Sequence, residues 1–213
     1  MGRRGRRPSP SLHPWDGTAY RATTYDVPLW VLPNRQNGRW NIAGRDCTQY
    51  MCLDADAPYA EMIRHERLTT EAEVAMLRVY LWELRLHEAA IVDYSTFEKA
   101  EAAGFPPEAL VDDDHERCQI EAQWLKSNKA RGVLAPSAAL PGTMSLTLFG
   151  PKVEVPWGTV TKLSSEVPVR RVGGQGPPPV RLVASVRQFG ASHPELDAYR
   201  ARVATQKQEK VRT

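Results

Sequence analysis

Five side chains carry chemistry that would act together: Arg21, Arg39, Tyr50, Glu61 and Ser137. Taken singly, each has an ordinary reading. A strand arginine usually meets an acid or solvent, a helix glutamate is usually solvated, and a serine after proline usually belongs to a turn. Taken together, two guanidinium groups, a carboxylate and an aromatic ring suit a ligand carrying phosphates, a ribose and a flat base. The planar fork of arginine grips phosphate oxygens two at a time, which a lysine cannot do. The sequence has neither Gly-x-Gly-x-x-Gly nor Gly-x-x-x-x-Gly-Lys-Ser/Thr, so no backbone cradle for a dinucleotide is available. Such a ligand would be held by side chains.

The elements that must position these groups alternate between strands and helices. Asp16-Gly17 is a turn pair, and Thr18 to Thr24 reads as a first strand carrying Arg21. Prolines, asparagines and glycines from Pro28 to Gly44 make a loop, on which Arg39-Trp40-Asn41 rides. Cys47 to Leu53 is a short strand holding Tyr50, and Asp54 and Asp56 then offer a helix N-cap. The helix from Ala57 to Leu68 tolerates Pro58 in its first turn and places Glu61 early. Thr70 and Glu73 resemble a capping box, although Val79 to Leu86 could equally pair as a strand.

Farther along, Ile91 to Tyr94 reads as a short strand, and Pro106-Pro107 opens a turn or brief helix ending near Val111. Asp114 to Asn128 reads as a helix with an acidic start and a basic end. Gly132 to Ser137 and Met144 to Phe149 are strands. Gly173, Gly174, Gly176 and Pro177 to Pro179 make a break, after which Val180 to Gln188 suits an edge strand and Pro194 to Lys207 a polar helix. Mixed order of this kind argues for an α/β or α+β domain.

At 213 residues and 42% hydrophobic content, the chain has material for one packed domain with tails. The net charge is +3, but Arg3, Arg4, Arg6 and Arg7 crowd one end and Lys207, Lys210 and Arg212 the other. Residues 1–14 have little to bury and are expected to be a disordered basic tail. No apolar run approaches the roughly 18 residues of a membrane span, no secretory h-region follows the arginines, and Arg6 stands where a myristoylation signal needs Ser or Thr, so a cytoplasmic protein is expected. Cys47, Cys52 and Cys118 form no Cys-x-x-Cys and read as free thiols, and His65-Glu66 lacks zinc-protease spacing, so no metal is assigned. The six tryptophans read as packing residues, with Trp40 alone near ligand, and Asp112-Asp113-Asp114 as a solvated turn and N-cap.

The pieces Tyr20-Arg21-Ala22, Gly38-Arg39-Trp40-Asn41, Tyr50, Ala60-Glu61, Gly132 to Ala138 and Leu148-Phe149-Gly150-Pro151 together resemble the RES domain family, named for its arginine, glutamate and serine. Most specific is the Gly-Arg-Trp-Asn loop with a tyrosine eleven residues after its arginine and a glutamate eleven after that. The resemblance runs over residues 15–157 and leaves 158–213 as a C-terminal extension with a supporting role. Met51-Cys52 replaces a more usual Leu-Ser, and the region from Thr69 to Glu88 looks like an insert.

What the resemblance implies is an ADP-ribosyltransferase-like split β-sheet core flanked by helices, with NAD as substrate. Its known activities are NAD phosphorolysis or hydrolysis and protein ADP-ribosylation, and many members are toxins neutralised by a helix-turn-helix antitoxin. It implies Arg21, Glu61 and Ser137 as catalytic residues and Arg21, Arg39, Tyr50 and Ser137 as NAD-binding ones, with inorganic phosphate as an acceptor and a homo-oligomer still open. The rival from another class is a non-enzymatic nucleic-acid-binding protein working through the basic ends. A pI near 8.8 without a basic stripe disfavours it.

Overall fold

A computed structural model of the chain describes residues 8–212. In chain order the elements are β1 (His13–Thr23), β2 (Thr48–Cys52), α1 (Ala57–His65), α2 (Glu71–Met76), β3 (Tyr80–Asp93), α3 (Phe97–Ala102), a 3-10 turn Pro107–Leu110, α4 (Glu116–Ser127), β4 (Gly132–Pro136), β5 (Met144–Phe149), β6 (Val153–Pro156), β7 (Glu166–Arg171), a second 3-10 turn Val180–Ala184, and α5 (Pro194–Arg212). This is a mixed α/β domain with a sheet core flanked by helices, the class that the alternation of strands and helices implies.

The strands form one sheet in the order β1-β2-β5-β4-β3-β7-β6, and β1 also pairs with β3. That extra pairing closes β1, β2, β5, β4 and β3 into a ring. Along β3, β1 takes one edge, while the other is shared between β7 at Trp82 to Leu84 and β4 at Ile91 to Asp93. Period-2 patterning explains why β3 is so long. Leu84, Leu86 and Glu88 are buried while Arg85 and His87 are exposed between them. Gly132 opens β4 because a Cβ there would lie 2.3 Å from the carbonyl oxygen of Thr147 on β5.

Three apolar clusters hold the layers together. Inside the strand ring lie Ala19, Met51, Leu84, Leu146, Leu148 and Val167. Between sheet and helices lie Trp40, Tyr94, Phe105, Leu110, Leu125 and Tyr199. Beneath α1 lie Ala60, Ile63, Val74, Ala139, Leu182 and Val186. The Thr70–Glu73 capping box forms as the spacing implies, and Pro58 occupies the first turn of α1. Asp56 sits at the N-cap of α1 but gives it no side-chain bond, because its carboxylate accepts from Arg181 instead.

Several expectations are corrected. Val180 to Gln188 is not an edge strand. Leu182, in the 3-10 turn, and Val186, just beyond it, pack against α1, and burying them there wins over pairing with a sheet whose last strand is β6. The short strand at Ile91 is the end of the 14-residue β3, and α1 stops at His65 with Arg67 in the left-handed region. The region from Thr69 to Glu88 supplies α2 and most of a central strand. Residues after 157 bring β7, with Val167 in the inner core, and α5, with Leu196 and Tyr199 in the outer one, so no break in packing falls there. Of the expected basic tail, residues 1–7 lie outside the described residues, while His13 and Pro14 already belong to β1.

Candidate active site

Glu61 and Ser137, 76 positions apart, meet where α1 lies over the end of β4. Ser137 Oγ donates to Glu61 Oε1 at 2.9 Å and accepts from the backbone amides of Ala139 and Leu140 at 3.2 and 3.1 Å. The serine is fully buried and its hydroxyl is completely committed, so it fixes where the carboxylate stands. Glu61 itself is half-buried.

Tyr50 holds the loop that carries Arg39. Its hydroxyl donates to Asn41 Oδ1 and accepts from the Trp40 amide, both at 2.8 Å. A Cβ on Gly38 would come within 2.5 Å of both Tyr50 Oη and Asn41 Oδ1, which is why glycine begins this loop. Trp40 is 2% exposed and packs on Phe105, so it belongs to the core. From α4, Gln119 donates to the Gly38 carbonyl, and Gln123 and Lys126 bind Asp46. Arg39, anchored through Nη1 to the Ala109 carbonyl at 3.1 Å, projects its charge toward Tyr50, His115 and Arg64. Arg64, one turn beyond Glu61 on α1, feels the Glu61 carboxylate most among its charged neighbours. Arg39 and Glu61 therefore share one electrostatic neighbourhood.

Arg21 is placed differently. Tyr20 pairs with Cys52 across β1 and β2, so those two side chains share the face that Glu61 approaches. Arg21, the next residue, points to the inner face, where Nη1 donates to Gln49 Oε1 at 2.9 Å and the guanidinium stacks 5.1 Å from the Trp30 ring. Burial lowers its pKa to about 10, with Cys47 and Tyr50 as the charges opposing the shift. Glu61 and Ser137 are thus in direct contact, Arg39 reaches the same neighbourhood by way of Arg64, Tyr50 fixes the loop that carries Arg39, and Arg21 is not brought to them but lies on the inner face of β1.

The sequence reading missed Arg64, Asp113, His115, Arg187 and His193. Only Arg64 had a local signal, its i,i+3 relation to Glu61 on one helix face. Asp113 is no solvated turn residue, since it pairs with both Arg64 and Arg187. No group of three or more His, Cys, Asp or Glu among the described residues is arranged to hold a metal ion.

His115 gives the site a pH signature. Burial first, and then Arg39 and Arg64, pull its pKa down to about 4, and its Nε2 is buried without a hydrogen-bond partner. An unfolded histidine takes a proton below about pH 6.5, so between there and about 4 the unfolded state binds more protons and stability drops as the pH is lowered. His193 is shifted in the same direction. Melting temperatures from pH 7 to 4 should fall, and His115→Gln should flatten the slope. An unchanged slope in the variant would remove His115 as its source.

The sheet closed on itself, with a helix carboxylate locked onto a turn serine at its end, defines the chain as a mixed α/β domain with a side-chain-built polar site. The chain belongs to the RES domain family, whose model matches residues 14–164. Among solved structures, it is similar to a chain in the crystal structure of the M. tuberculosis MbcT-MbcA toxin-antitoxin complex. That match has a TM-score of 0.61 at 22% identity and covers 83% of this chain and 91% of the other. No curated protein matches.

Proposed function

We propose that this chain consumes NAD by cleaving its nicotinamide–ribose bond, as phosphorylase or glycohydrolase, and acts in the cytoplasm as the toxin of a toxin–antitoxin pair. Membership of the RES family and likeness to a chain from a toxin–antitoxin complex support the class. The single observation that carries the reaction is the Glu61 carboxylate, oriented by Ser137 on the side of the sheet that carries Arg39 and Tyr50.

Breaking this bond leaves the electron pair with nicotinamide, which departs neutral without an acid, and leaves positive charge on the ribose. Glu61 stabilises that charge. Ser137 keeps the carboxylate from rotating away, Arg39 binds pyrophosphate oxygens, and Tyr50 holds the Arg39 loop in register. Arg21 supports them from below as a buried cation that fixes Gln49 and Trp30. Inorganic phosphate or water then attacks the sugar, water losing a proton in doing so. The toxin's partner would be a helix-turn-helix antitoxin.

Purified protein incubated with labelled NAD, with and without inorganic phosphate, tests this reading. Free nicotinamide with a phosphorylated ADP-ribose indicates phosphorolysis, and free ADP-ribose indicates hydrolysis. Labelled protein with bulk NAD intact would replace the proposal with protein ADP-ribosylation, and intact NAD without labelled protein would defeat it.

A further inference from the structure

Three successive carbonyls of the Ser137 turn are held by one segment far along the chain. The Ser137 carbonyl accepts from His193 Nε2 at 3.1 Å, the Ala138 carbonyl from Arg187 Nη1 at 3.4 Å, and the Ala139 carbonyl from the Arg187 amide at 2.8 Å. The same turn holds the Ser137 hydroxyl through the Ala139 and Leu140 amides. The serine that orients Glu61 is therefore itself oriented from residues 187 and 193, which lie beyond the family match at 14–164.

The segment also grips α1. Asp113 Oδ1 accepts from Arg64 Nη2 and, at 3.2 Å, from Arg187 Nη1, while Asp113 Oδ2 accepts from the Gly190 amide at 2.6 Å. The Phe189 ring lies 4.1 Å from the Arg64 guanidinium, and Gln188 Nε2 donates to the Leu68 carbonyl just past α1. Val186 packs with Ala60 and Ile63 on the underside of that helix. Arg187 turns back through Nε to the Ala191 carbonyl at 2.8 Å, which closes the segment on itself.

We infer that residues 186–193 form a positioning strap, with Asp113 as its buckle, that sets the distance between the Glu61 helix and the Ser137 turn. The strap makes no hydrogen bond to the Glu61 carboxylate or the Ser137 hydroxyl; it acts through the backbone of the Ser137 turn and, on the Glu61 helix, through Arg64, Ala60 and Ile63. Small displacements of a reactive group are costly, about 100-fold for 1 Å, so the strap governs turnover more than substrate binding. Because it joins the two halves of the site, any ligand or partner that displaced Gly190 or Phe189 would switch off the enzyme without touching Glu61 or Ser137. The turnover part of this inference rests on the proposed NAD cleavage, whereas the mechanical part does not.

Asp113→Asn and Arg187→Ala in the full chain test it, with Arg187→Lys as the milder variant that keeps a donor for the Ala138 carbonyl. The Asn side chain preserves shape and removes the charge that both arginines share. In protein melting within a few degrees of the parent, kcat for nicotinamide release should fall about 10- to 100-fold with KM within about threefold. Hydrogen exchange of the Ala139 and Leu140 amides should speed up about tenfold or more, and Arg187→Lys should recover part of both losses. The double variant should lose little more than the worse single, because both act through one buckle. Folded variants with parental kcat and parental exchange would overturn the strap. If the parent itself releases no nicotinamide, the NAD reading falls, and the exchange rates alone decide whether the strap holds the turn.

Discussion

Replacing Glu61 by glutamine should reduce nicotinamide release by about 100- to 1,000-fold while leaving the melting temperature nearly unchanged. Glutamine keeps the size of the side chain and a carbonyl oxygen for the Ser137 hydroxyl, so the contact at 2.9 Å survives and α1 stays seated on Ala60 and Ile63. Only the negative charge is lost. That charge is worth most when the ribose is most cationic, at the transition state, so kcat should fall while KM hardly moves. Steady-state kinetics on purified variant and parent would measure the split. Retention of more than about a third of the parental kcat would remove Glu61 from the reaction.

Lys152→Met should lower the melting temperature by about 6 to 20 °C. Lys152 and Glu88 form an ion pair with side chains only 4% and 1% exposed, Lys152 also donates to the Ser164 carbonyl at 2.6 Å, and the second Glu88 oxygen already lacks a partner. Removing the cation strands a buried carboxylate, at about 3–5 kcal/mol. In a domain of this size each kcal/mol moves the midpoint by about 2–4 °C. Replacing both partners, as Lys152→Met with Glu88→Leu, should recover most of the loss because no lone charge is left behind. Differential scanning calorimetry on the three proteins would decide it. A single variant within about 3 °C of the parent would mean that water reaches the pair.

The pairing of Glu88 with Lys152 illustrates what a linear reading misses. Glu88 falls at an inward position of β3 because period-2 alternation carries the chain there, but nothing near it in sequence announces a lysine 64 positions on. Likewise β7 carries no strand signal of its own, since a short segment of valines and arginines gains its strand character only from β3 alongside it. By contrast β5, the capping box at Thr70 and the helix over Glu116–Ser127 were legible, because their signals are local: alternation, a cap, and charge at helix ends.

The candidate site divides in the same way. By itself the sequence determined the fold class, the loop carrying Arg39, the strand carrying Tyr50, the helix carrying Glu61 and the turn carrying Ser137, because motif spacing and short-range periodicity encode each of them. Only the tertiary structure decided which of these side chains converge. Whether Arg21 lies above or below the sheet is set by the register of β1 against β2 and β3, since a shift of one residue exchanges the two faces. Asp113, Arg187 and His193 acquire their roles only when residues tens of positions apart are packed together, because a hydrogen bond or ion pair depends on distance in space and leaves no periodic trace along the chain.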